Sequence, residues 1–233
     1  MKRIVCIFVL FSLIFTCFCS CGKKKEEEEI ARAVAEYRAG KIAAYGEENA
    51  RLKPYEVDVC FLGDSLTDGY DLEKYYPNFT VTNRGIGGET TVGLEERLAV
   101  SVYDVRPKVA VMLIGANNMD TMFDNYERLL IGLRDNLPNT KIILLSLTSM
   151  GGEWGRKNQL AAYNNVKIEM LAEKYSFEFV DLYSALMNLE TGEIYAEYTT
   201  DGGHLTPLGY EVMTAEITPA IERQLAAWHA ENP

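Results

Sequence analysis

From residue 57 onward, short runs that are apolar throughout alternate with stretches whose apolar residues recur at helical spacing. The runs at 57–62, 79–82, 109–114, 141–147 and 177–181 predict strands. The periodic stretches at 91–100, 122–136, 157–175 and 207–228 predict helices. Strands without a polar face are buried on both sides, and their alternation with helices predicts a parallel sheet covered by helices on both faces. No internal repeat interrupts the pattern and no linker splits it. In such a sheet ligands bind outside the carboxyl ends of the strands, so residues just after each strand are the first to inspect.

The N-terminus follows a different pattern. Lys2 and Arg3 precede an apolar stretch at 4–18 and then Cys19-Ser20-Cys21. That is the order of an export signal, and the apolar run is short for a membrane span. "FCSCGKKK" resembles a bacterial lipoprotein cleavage box, with Cys21 as the lipidated first residue of the mature chain. Its departure is Phe18, where such boxes usually carry Leu. "GKKKEEEE" at 22–29 reads as a solvated tether. Ile30, Val34, Tyr37 and Ala44 then fall at helical spacing in an amphipathic helix over 30–51 that stops before Pro54.

Composition narrows the partners. A formal net charge of −11 over 233 residues, with no Lys/Arg-rich arm, argues against nucleic acid. Of five cysteines, only Cys60 lies outside the signal region, so the exported body can form no internal disulfide. Cys60 sits in an apolar strand and reads as a small buried hydrophobe.

The stretch "VCFLGDSLTDGY" turns from apolar to polar at Gly63-Asp64-Ser65. These are ordinary turn formers, but a serine at the end of a strand is also where a nucleophile would stand. A nucleophilic serine needs a base, and the chain has two histidines. His229 ends the last helix near the C-terminus. His204 lies in "TTDGGHLTPLGY", with Asp201 three residues earlier, where a carboxylate can orient the imidazole. Alternatively, Asp201 and Thr206 only shape the loop and cap the helix. "NRGIGGET" at 83–90 lacks the third glycine of a dinucleotide turn and follows the second strand, not the first. It offers instead a backbone N–H at Gly88, and "IGANNMD" offers the amide of Asn117. Either residue taken singly is a plain turn residue.

Together, Gly63-Asp64-Ser65-Leu66, Gly88 within "NRGIGGET", Asn117 within "GANN" and "DGGHLTP" resemble the four ordered blocks of the GDSL/SGNH hydrolases. The last three are most similar to the branch of platelet-activating-factor acetylhydrolase catalytic subunits and many bacterial esterases. The resemblance spans residues 57 to about 225. It implies a three-layer α/β/α sandwich of flavodoxin-like form on a five-stranded parallel sheet. It implies Ser65 as nucleophile, His204 as base and Asp201 as its partner. The implied oxyanion donors are the N–H groups of Ser65 and Gly88 and the side chain of Asn117. Ala116 departs from the Gly or Thr of relatives at a position without a catalytic role. Gly63-x-Ser65-x-Thr67 does not match the G-x-S-x-G of α/β-hydrolases. The chain then divides into a signal segment at 1–20, a lipid-anchored tether and helix at 21–53, and a catalytic domain at 54–233.

The implied reaction is serine ester hydrolysis without a metal or other cofactor. The loop at 148–158 falls on the same rim as Ser65. There Trp154 either stacks on a sugar ring or covers the helix behind it, and Arg156 could hold an anionic group. No long insertion offers a lid or acyl tunnel, which favours a short acyl group such as acetyl on a carbohydrate or other small alcohol. Lysophospholipase or thioesterase activity is an alternative. So is a carbohydrate-binding lipoprotein on a catalytically dead scaffold, because fold does not fix function.

Overall fold

A computed structural model describes residues 2–233, with the side chains of residue 25 and of residues 27–233. The expected signal segment and Cys21 lie outside the described side chains. The chain divides into two compact units, 1–43 and 44–233. The first is helical and belongs to α1 (Lys2–Asn49), where the stripe Ile30, Val34 and Tyr37 is exposed. Among the described residues, no helix is long and apolar enough to cross a membrane.

The second unit is built on five parallel strands: β1 (Val59–Gly63), β2 (Val81–Gly85), β3 (Val109–Leu113), β4 (Lys141–Leu145) and β5 (Glu178–Val180). Their order is β2-β1-β3-β4-β5. Short helices α2 (Ser65–Asp68) and α3 (Leu72–Tyr75) follow β1, and α4 (Thr91–Glu96) follows β2. Helices α5 (Tyr126–Asn136), α6 (Asn158–Tyr175), α7 (Leu182–Leu186) and α8 (Pro207–Glu231) complete the unit.

Alternate residues of each strand feed two cores, as the two-residue period of a strand requires. On one face, Cys60, Leu62, Ala110, Met112 and Leu144 pack with Leu94, Leu129, Leu133 and Ile168. On the other, Val59, Phe61, Val111, Leu113 and Ile143 pack with Tyr70, Leu182, Ile217 and Ile221. The result is three layers, and it explains why β1 and β3 are buried at every position. β2 begins two residues later than its apolar run suggests and ends on Thr82-Asn83-Arg84-Gly85. It is an edge strand, and the side chains of Asn83 and Arg84 find partners outside the sheet.

Residues 44–49, the end of α1, belong to this unit and clasp that edge. Tyr45 Oη donates to the carbonyl of Gly85 at 2.6 Å, and the Arg84 guanidinium lies 4.7 Å from the Tyr45 ring centroid. Arg84 is 1% exposed and donates to Glu48 at 2.6 Å and Asn49 at 2.9 Å. A boundary placed at residue 54 on the sequence would separate Arg84 from these partners.

Candidate active site

The register pairs Gly63 of β1 with Gly85 of β2 and Leu113 of β3, so the turns after all three strands open on one rim. The strand order reverses direction at β1 and β3, which is where such sheets form a crevice. Asp64 closes β1 and caps α2, its carboxylate accepting the N–H of Leu66 at 3.1 Å. Ser65 is therefore the first residue of α2. Asn83 fastens that turn to β2, donating to the carbonyls of Thr67 and Tyr70.

His204 arrives from the loop before α8, whose start is set by the Thr206 cap and Pro207. Thr199 Oγ1 and the N–H of Thr200 donate to the His204 carbonyl at 2.7 and 2.9 Å. Ser65 Oγ lies 3.0 Å from His204 Nε2, and His204 Nδ1 lies 2.7 Å from Asp201 Oδ2. The tautomer that satisfies both contacts carries its proton on Nδ1, leaving Nε2 to accept from Ser65. Burial pushes the Asp201 carboxyl up, but the N–H groups of His204 and Gly203 and the imidazole outweigh it and hold the group at about 2. The carboxylate is ionised throughout the neutral range.

Gly88 has φ +77°, a left-handed conformation in which a Cβ is strained, and a Cβ there would meet no protein atom within 4 Å. Its N–H has no acceptor among the described residues. The N–H of Ser65 is one of those a helix start leaves without an intrahelical partner. Asn117 Nδ2 donates to the carbonyl of Glu89 at 2.9 Å, which spends one of its two hydrogens and orients the other.

Ser65, Gly88, Asn117 and His204 line one cleft of about 200 Å3, together with Asp64, Leu66, Ala116, Thr148, Met150, Trp154 and Gly203, and Asp201 stands behind His204. Trp154 stands edge-on to His204, with ring centroids 6.2 Å apart. A Cβ on Gly203 would come within 3.0 Å of the indole, so glycine there lets the ring close on the histidine loop. Arg156 is exposed on the same 3-10 turn and does not line the cleft. The sequence places the loop at 148–158 on this rim without singling out Thr148 or Met150, and it shows Asp64 only as a neighbour of the serine. Asp64 is 1% exposed, its Oδ2 has no hydrogen-bond partner among the described residues, and burial pushes the carboxyl up to about 6.

The GDSL-like lipase/acylhydrolase family matches residues 61–212. The chain belongs to that family. It is a carboxylic ester hydrolase by that membership. A GDSL-like lipase of Bacteroides thetaiotaomicron is 28% identical, covering 78% of this chain and 97% of its own, with a TM-score of 0.70. A protein from Streptococcus pneumonia named for platelet activating factor is 24% identical over 83% of this chain and 97% of its own, TM-score 0.69. An acetylxylan esterase of Geobacillus stearothermophilus has the same fold at 20% identity, covering 72% of this chain and 95% of its own, TM-score 0.60. No curated protein matches the chain.

Proposed function

We propose that the protein hydrolyses short-chain acyl esters of a carbohydrate or another small alcohol through Ser65, His204 and Asp201. The observation that carries this reading is the unbroken contact line from Asp201 through His204 to Ser65 Oγ at the cleft. Ser65 Oγ attacks the acyl carbon while its proton passes to His204 Nε2. The carbonyl oxygen becomes an oxyanion facing the N–H groups of Ser65 and Gly88 and the amide of Asn117. Collapse of that intermediate breaks the bond to the alcohol oxygen, which leaves with the proton from His204. Water then attacks the acyl-enzyme, gives its proton to His204, and releases the acid with Ser65 restored.

The size of the cleft supports a short acyl group. Pockets for drug-sized ligands run to roughly 300–1,000 Å3, against about 200 Å3 here. Met150, 3% exposed, and Trp154 stand among its lining residues. An acetyl group fits that space, with the alcohol part left outside near the indole. The acetylxylan esterase of the same fold supports a sugar ester as the substrate class.

Turnover of p-nitrophenyl esters of increasing chain length tests this. Rates should be highest for acetate and fall with each added pair of carbons. A maximum at eight carbons or more would favour a lysophospholipase or thioesterase. A folded protein whose Ser65 resists a fluorophosphonate label would favour a binding module.

We propose further that the enzyme is exported and held at a membrane by lipid on Cys21, on the strength of the sequence layout at 2–21. Mass spectrometry of the mature N-terminus should find lipidated Cys21. A free amine at a later residue would mean ordinary secretion.

A further inference from the structure

The interior next to the cleft holds an ion pair that the reaction does not consume. Arg97, 3% exposed, directs Nε at Glu89 Oε2, 2.7 Å away, and Glu89 is 5% exposed. The same guanidinium donates through Nη1 to the carbonyl of Arg84 at 2.9 Å and to Ser101 Oγ at 2.8 Å. Through Nη2 it donates to the carbonyl of Gly63 at 3.0 Å. Neither Arg97 nor Glu89 lines the cleft.

The acceptors are informative. Gly63 ends β1, two residues before Ser65. Glu89 directly follows Gly88, and its own carbonyl accepts from Asn117 Nδ2 at 2.9 Å. One cation therefore reaches the backbone or neighbour of all three groups assigned to the oxyanion hole. Donors to an oxyanion act only if they are already aimed before charge develops, and errors of about 0.5 Å matter. A buried ion pair is in general a poor source of stability, because desolvation offsets its attraction. Its planar fork, however, fixes several acceptors at once, which a lysine ammonium cannot do.

We propose that the Glu89–Arg97 pair is the positioning element of the oxyanion hole, setting the Ser65, Gly88 and Asn117 donors relative to one another. This rests on the reading of Ser65 as nucleophile given above. Neither residue lines the cleft, so loss of the pair acts on kcat through the donors and leaves ground-state binding alone.

The test is Arg97→Lys in the full chain, which keeps the buried positive charge beside Glu89 but loses the fork. With p-nitrophenyl acetate, kcat should fall about 10-fold to 100-fold, with KM within about twofold, in a protein with an unchanged CD spectrum. Combined with Asn117→Ala, the loss should be smaller than the product of the two single losses, since one acts through the other. A purely structural role would lower the melting temperature and leave kcat of the folded fraction alone, which overturns the proposal. So would fully multiplicative losses. If Arg97→Lys does not fold, Ser101→Ala removes one acceptor from the same guanidinium at a residue that does not line the cleft. An unchanged kcat in that variant likewise overturns it. Ser65→Ala separates the two readings: turnover retained there refutes the nucleophile, and the role of the pair falls with it, whereas turnover abolished there with kcat unchanged in folded Arg97→Lys refutes the role of the pair alone.

Discussion

Asp201 holds His204 by two different groups at once. Oδ1 accepts the backbone N–H of His204 at 2.7 Å, and Oδ2 lies 2.7 Å from its ring Nδ1. The imidazole is thus oriented against its own main chain, and its tautomer is fixed by the same carboxylate. In Asp201→Asn, Oδ1 can still take the backbone N–H, but the amide then presents N–H groups to Nδ1. The ring proton moves to Nε2, where it faces Ser65. We expect kcat to fall about 10²–10⁴-fold without loss of fold. Steady-state kinetics with a CD spectrum check this; a loss under tenfold would make Asp201 a loop-shaping residue only.

Ser65→Ala and His204→Ala should each abolish nearly all ester turnover while the thermal transition stays cooperative. The reason is the 3.0 Å contact between them, through which Ser65 Oγ can pass its proton to His204 Nε2. Near-native turnover in His204→Ala would remove histidine from the mechanism.

Asn117→Ala should lower kcat about 10²–10³-fold with little change in KM, because the amide is worth most where the oxygen carries charge. A change confined to KM would reassign Asn117 to substrate binding.

Gly88→Ala should act on both fold and rate. The left-handed backbone costs an alanine about 1–2 kcal/mol, or roughly 2–8 °C in Tm for a domain of this size. The methyl would also project into open cleft space next to an oxyanion donor. Differential scanning calorimetry reads the first effect and kcat/KM the second; an alanine variant with native values of both would show that Gly88 is not constrained.

Asp64 gives a pH-dependent term of unusual sign. Burial raises its carboxyl from 3.8 to about 6, so the folded chain keeps a proton that the unfolded chain gives up between those values. The stability this contributes is complete below about pH 4 and is lost as pH rises through 6. Asp201, held at about 2, contributes oppositely: its stabilisation is present above about pH 4 and lost as pH falls toward 2. Asp64→Asn keeps an acceptor for the Leu66 N–H and cannot ionise. Relative to the unaltered protein it should gain about 2.5 kcal/mol between pH 4 and pH 7.5. Urea melts at the two pH values measure the difference; a difference that does not change with pH would show that Asp64 does not titrate in this range.

The strands were legible because β1, β3 and β4 are apolar runs ended by turn residues, a local signal. Ser65, Gly88 and Asn117 stood out as candidates because each lies just past such a run, and Asp201 and His204 because they lie on the loop before α8, all in blocks resembling a known family. Other features depend on tertiary partners. The periodic stretch at 91–100 looked like one helix, yet α4 ends at Glu96 and a π-helical turn spans Ala99–Tyr103. Arg97, at the join, is committed to four acceptors outside the helix, and only the fold reveals them. Likewise 122–136 splits into a 3-10 turn at Met122–Asp124 and α5, with Asn125 between them bound to Thr91 and Glu95. In sequence, Glu89 and Arg97 look like any solvated pair of charges.

The clasp of residues 44–49 on Arg84 decides what happens when the chain is cut. Residues 27–37 are exposed and lie before the clasp, so a protease acting there would shed a hydrolase complete with Tyr45, Glu48 and Asn49. A cut at 50–53 would release the clasp as well, stranding a guanidinium in the interior without its counter-charge. The same hydrolase would thus be either released with its edge strand still clasped or destabilised at that edge, depending on which side of one short helical segment the cut falls.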